Sequence, residues 1–105
     1  MVRESDLNVI KKFQEKLQGK FNDLKIILFG SKATETDNEN SDFDIIIVSD
    51  SFKDKDFLER GCFVRNDWNC NFPVDFICYT PEEFEERKSR VSLVSEALKS
   101  GVIIQ

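Results

Sequence analysis

Three short apolar runs punctuate the chain: LKIILF at 24–29, FDIIIV at 43–48 and PVDFICY at 73–79. Each is short and rich in β-branched or aromatic side chains, and each predicts a buried strand. Between and around them the spacing is helical. Leu7, Ile10, Phe13 and Leu17 recur at steps of three and four, with Ser5 placed to cap the helix and Gly19 to stop it. In KDKDFLERGCFVRNDW, Phe57, Leu58, Cys62, Val64 and Trp68 fall roughly on one helical face, with Gly61 in their midst. Pro81 opens PEEFEERK with acids before bases, the order a helix dipole favours, and Glu82, Glu83, Glu85 and Glu86 read as its solvated face. Val91, Val94, Ala97 and Leu98 form the stripe of a last helix that Gly101 ends, and VIIQ at 102–105 reads as an edge strand or an interface. The order helix, strand, loop, strand, helix, strand, helices predicts an α/β (α+β) fold: a small mixed sheet flanked by helices. Residues 1–105 are expected to form a single domain, without repeat, low-complexity block or linker.

Composition narrows the chemistry. A chain of 105 residues supports one modest core, and ten Phe residues supply much of its volume. The net charge of -5 argues against general nucleic-acid binding, since phosphate backbones attract basic surfaces. No apolar run approaches the roughly 20 residues of a membrane span, and the N-terminus lacks a secretory apolar block, so a cytoplasmic protein is expected. Cys62, Cys70 and Cys78 are odd in number and evenly spread, which fits neither a disulfide framework nor a zinc site; they read as reduced and mostly packing residues. There is no histidine, which removes Ser-His-Asp, Cys-His and His-metal chemistry together. Carboxylates must carry any catalysis.

The carboxylates in question stand at strand mouths. Side chains alternate along a strand, so Asp42 and Asp44 face one way and Phe43 the other. Two carboxylates side by side repel, and a divalent cation is the simplest relief. Mg²⁺ takes oxygen ligands in an octahedron and leaves places for water and phosphate. Asp75 sits inside the next apolar strand and can face the pair if the two strands lie close. Three carboxylates on two strands suit two metals about 3.5–4 Å apart, as in phosphoryl transfer. Calcium is a rival for this acidic loop, but the sixth position of an EF-hand count from Asp37 is Asp42 rather than glycine. Just upstream, Gly30 lets the backbone approach a ligand, Ser31 offers a hydroxyl and an N–H to phosphate oxygens, and Lys32 adds positive charge. Arg60 or Arg65 on the following helix offers a further cation for a phosphate. Trp68 reads as a core or rim residue rather than a base-stacking platform.

Gly-Ser, ten residues, Asp-x-Asp and a third acid on a later strand together resemble the nucleotidyltransferase superfamily of the DNA polymerase beta type, in particular the minimal nucleotidyltransferases (MNT) of bacteria and archaea. The matching residues are Gly30, Ser31, Asp42, Asp44 and Asp75. The resemblance implies Mg²⁺-dependent transfer of a nucleoside monophosphate, AMP from ATP being favoured, to a hydroxyl. It implies two metal ions on Asp42, Asp44 and Asp75, and phosphates on Gly30, Ser31 and Lys32. Many minimal members pair with a helical HEPN protein in toxin–antitoxin systems, and the MNT partner can AMPylate the HEPN toxin. Thr34 and Glu35 stand where the family usually has Arg and Gly, and an acidic loop over 35–40 should repel a triphosphate. The alternative is therefore an antitoxin-type module that neutralises a HEPN partner by contact alone. Transfer to a small molecule is a third reading. Four residues after Gly101 leave little to build an acceptor pocket, so a second protein is expected to present the hydroxyl. A homo-oligomer stays open.

Overall fold

The structure, a computed structural model, describes residues 4–30, 42–68, 72–89 and 101–104. Helix α1 (Glu4–Gln18) leads into strand β1 (Lys25–Phe29) and strand β2 (Phe43–Val48). A 3₁₀ turn (Asp50–Asp54) and helix α2 (Phe57–Arg65) cross to strand β3 (Val74–Tyr79); helix α3 (Pro81–Lys88) and strand β4 (Val102–Ile104) complete the described elements. The strands form one mixed sheet in the order β3-β2-β1-β4. β2 and β3 run parallel, whereas β1 is antiparallel to both β2 and β4.

The apolar runs are continuous because both faces of the central strands are covered. Ile26, Ile27, Leu28, Ile45, Ile46 and Ile47 are all fully buried. One face packs Ile26, Leu28, Phe43, Ile45 and Ile47 against Ile10, Phe13 and Leu17 of α1. The other packs Ile27, Ile46, Val48 and Tyr79 against Phe84 of α3. Burying each such side chain contributes about 1.5–3 kcal/mol. Trp68 sits in the first cluster, with edge contacts to Phe13 and Phe43, each 5.2 Å between ring centroids; its indole N–H donates to the Phe72 carbonyl at 3.0 Å.

Three expectations change. Helix α1 already includes Glu4, so Ser5 lies inside its first turn and does not cap it. The segment around Gly61 is a 3₁₀ turn followed by a nine-residue helix, and of its expected apolar face Val64 and Trp68 are buried while Phe57, Leu58 and Cys62 face outward. Leu58 is 86% exposed, Phe57 and Cys62 are exposed too, and the buried helix positions are Arg60 and Val64. The physical reason is the satisfaction of Arg60. Its guanidinium donates to Glu83 Oε1 at 2.6 Å and to the Cys78 carbonyl at 3.1 Å, while its Nε donates to the Lys55 carbonyl at 3.2 Å. An arginine held by several hydrogen bonds can take an inner seat that hydropathy alone assigns elsewhere.

Glu83 is the third change, since it is not merely a solvated acid. Thr80 Oγ1 accepts from the Glu83 N–H at 3.2 Å, and Glu83 Oε1 accepts from the Thr80 N–H at 2.8 Å, a reciprocal capping box at the start of α3. The expected helix over 91–101 lies, apart from Gly101, outside the described residues. β4 pairs with β1 at the sheet edge, which settles the VIIQ segment as a strand through Ile104.

Candidate active site

Parallel pairing decides where the acids meet. In the register of β2 with β3, Asp44 stands opposite Asp75. Phe29 is opposite Asp44 across the antiparallel pair, so Phe29, Asp44 and Asp75 form a row across three strands. The next row inward is Ile27, Ile46 and Ile77. Alternation puts these two rows on the face that carries Phe84, while Phe43 is buried against α1. Asp42 immediately precedes β2, and its charge reaches Asp44.

Asp44 is half-buried, whereas Asp42 and Asp75 are exposed. Its carboxyl is held above the ordinary aspartate value, first by burial beside the apolar row, then by the negative charge of Asp75 and of Asp42. All three carboxylates therefore share one electrostatic field, and a cation would relieve it. Among the described residues no group of three acidic or thiol side chains is gathered as a ready-made metal cage. Asp44 and Asp75 are aligned by backbone register, and Asp42 adjoins them at the strand mouth.

Gly30 closes β1 with φ of 77°, a left-handed conformation that favours glycine. A Cβ at this position would lie 2.5 Å from Asp44 Oδ2 and 3.3 Å from its Cγ. The turn thus cradles the Asp44 carboxylate in space that only glycine leaves open. That cradle and the all-oxygen donor set fit Mg²⁺ or Mn²⁺. Ser31 and Lys32, expected to meet phosphate, lie outside the described residues.

Arg60 does not serve the acids, because its hydrogen bonds tie it to Glu83, Cys78 and Lys55. Arg65 lies over the ring of Phe76, 5.5 Å from its centroid, and Phe76 packs on the face opposite Asp75. Both arginines are thus engaged away from the Asp44 and Asp75 row. A cleft of about 470 Å³ between α1 and Trp68, lined by Val9, Lys12, Phe13, Lys16 and Asp67, is on that opposite side as well. The cradle under Asp44 was missed by sequence reasoning, although the order Phe29-Gly30 after an apolar strand was its visible trace. The capping box was legible as Thr80-Pro81-Glu82-Glu83 and was also missed.

The described elements make a mixed four-stranded sheet with helices on its faces. A crystal structure of a candidate nucleotidyltransferase from Sulfolobus solfataricus shares it, with a TM-score of 0.66 and 23% identity over 92% of this chain and 77% of that one. A second structure of a candidate nucleotidyltransferase aligns with a TM-score of 0.48 and 23% identity, over 82% of this chain and 89% of the other. No curated protein sequence matches the chain. The nucleotidyltransferase domain family matches residues 10–104, and the chain belongs to that family, within the polymerase beta-type superfamily.

Proposed function

We propose that residues 1–105 form one Mg²⁺-dependent nucleotidyltransferase domain that moves AMP from ATP to a hydroxyl of a partner protein. The partner is a HEPN-type helical protein, and the pair works as a cytoplasmic toxin–antitoxin system. The observation that supports this best is the register of Asp44 opposite Asp75, with the charge of Asp42 acting on Asp44. Asp42, Asp44 and Asp75 would hold two metal ions, and Gly30, Ser31 and Lys32 the nucleotide phosphates. Magnesium, when bound, neutralises charge on the phosphate oxygens.

In the transfer, the acceptor oxygen bonds to the α-phosphorus and the bond from that phosphorus to the bridging oxygen breaks. Pyrophosphate leaves, and the proton of the attacking hydroxyl passes to Asp75, whose exposure leaves it open to an incoming acceptor. Phe29 and Ile77 flank the acids with apolar surface, which lowers the local dielectric and strengthens the hold of Asp44 on a cation.

Mass spectrometry of a HEPN partner incubated with the protein and MgATP tests this reading. The partner should gain one or more AMP units, and Asp42→Asn or Asp44→Asn should abolish the gain. A partner that binds but never gains mass would replace the enzyme with a module acting by contact.

A further inference from the structure

The conformation of Gly30 and its nearness to Asp44 raise a question that phosphate binding alone does not answer. A glycine after β1 would serve backbone approach to a phosphate whether or not an acid stood behind it. Here the acid is present, and the space a side chain would fill is taken. A Cβ on Gly30 would overlap Asp44 Oδ2 at 2.5 Å and crowd its Cγ at 3.3 Å. No real Cβ tolerates the first of these distances, so something has to move.

What moves is the carboxylate. The atom in the way is the far end of a two-torsion side chain, whereas the β1 and β2 backbones are pinned by their pairing and by fully buried Ile26, Leu28, Ile45 and Ile46. Rotation of Asp44 away from the turn is the easy response. It costs the fold little, but it takes one carboxylate out of line with Asp75.

We infer that Gly30 is a positioning residue for the metal ligand Asp44: the absence of a side chain at Gly30 sets where the Asp44 carboxylate rests, independently of any nucleotide. This rests on the metal-binding reading proposed above. It predicts that enlarging Gly30 harms cation binding before any phosphate is added, whereas a glycine needed only for phosphate approach would leave the bare cation untouched. Residues that orient a ligating carboxylate typically change metal affinity by about 10- to 100-fold when altered.

The test is Mn²⁺ titration without nucleotide, followed by electron paramagnetic resonance, on the wild type, Asp44→Asn, Gly30→Ala and Gly30→Asn. Alanine is strained at this φ, and asparagine tolerates it better while carrying the same Cβ, so the second variant keeps a folded protein in hand. Circular dichroism confirms folding. The expected result is that both Gly30 variants bind Mn²⁺ about tenfold more weakly, in step with Asp44→Asn. Wild-type Mn²⁺ affinity in a folded Gly30 variant, with only nucleotide affinity lost, overturns the inference and leaves the metal site standing. Equal Mn²⁺ binding by wild type and Asp44→Asn instead removes the metal site itself, and the inference with it.

Discussion

Arg60 on α2 donates to Glu83 on α3 at 2.6 Å, and the same guanidinium reaches the Cys78 carbonyl of β3 at 3.1 Å. One buried cation thereby ties two helices to the edge strand that carries Asp75. Its remaining Nε donor is used on Lys55. Replacing Arg60 with Ala leaves the Cys78 carbonyl without this donor and the half-buried Glu83 carboxylate with only its capping N–H, a loss of about 2 kcal/mol or more. Arg60→Lys should recover little, because a point charge cannot serve three acceptors in fork geometry. Urea unfolding of both variants checks this; wild-type stability in Arg60→Ala would dismiss the tie.

Glu83 gives that tie a pH dependence. Burial pushes its carboxyl up, but the hydrogen bonds from Arg60 and from the Thr80 backbone together outweigh burial and hold it below the ordinary glutamate value. A depressed carboxyl adds stability above its unfolded value, and the contribution is lost as pH falls through the folded value. The melting gap between wild type and Glu83→Gln should therefore be widest near neutrality and close in acid, as pH falls through the depressed folded value. A gap that stays constant over that range would show that the charge of Glu83 is immaterial.

The acids of the candidate site should behave in the opposite way. Asp44 is partly desolvated and repelled by Asp75 and Asp42, so in metal-free buffer its charge works against folding. The double variant Asp42→Asn, Asp44→Asn should melt no lower than wild type with chelator present. Added Mn²⁺ should raise the wild-type melting temperature and leave the variant unmoved. A clear fall in the variant's stability without metal would make these acids structural.

Two cysteines divide by environment. Cys78 is buried in the sheet, and burial pushes its thiol up to about 12, only partly countered by the charge of Arg60. Cys62 is exposed on α2. In a Cys70→Ser background, Ellman's reagent should label one thiol promptly and the second only at the rate of global unfolding. Prompt labelling of both would contradict the packing of β3.

The strands were legible because their chemistry is local. Runs such as KIILF and FDIIIV are apolar at every core position, since β1 and β2 are covered on both faces, and β2 begins and ends where the pattern does. The shared facing expected of Asp42 and Asp44 rests on alternation alone, because Asp42 lies just before β2. Asp75 was legible only as an acid in a strand; the partner it faces depends on pairing, which hydropathy does not encode. α2 failed for the same kind of reason. Its inner position is filled by Arg60, and what makes an arginine comfortable there is Glu83 and the Cys78 carbonyl, both remote in sequence. The Gly30 cradle was invisible because a missing atom matters only when its neighbour is known.

The parallel pairing of β2 with β3 has a consequence for how such sites can vary. Asp44 and Asp75 are each the second residue of their strand, and the chain between them leaves one end of the sheet and returns to the other. Inserting or deleting residues in that crossover changes the journey but not the arrival, so long as β3 re-enters in register. Exposed described positions of that crossover are thus places where the chain can lengthen without moving either carboxylate. A one-residue slip inside β3, by contrast, would turn Asp75 to the opposite face. The third acid is addressed by its rank within a strand, and no fixed interval along the chain is required to find it.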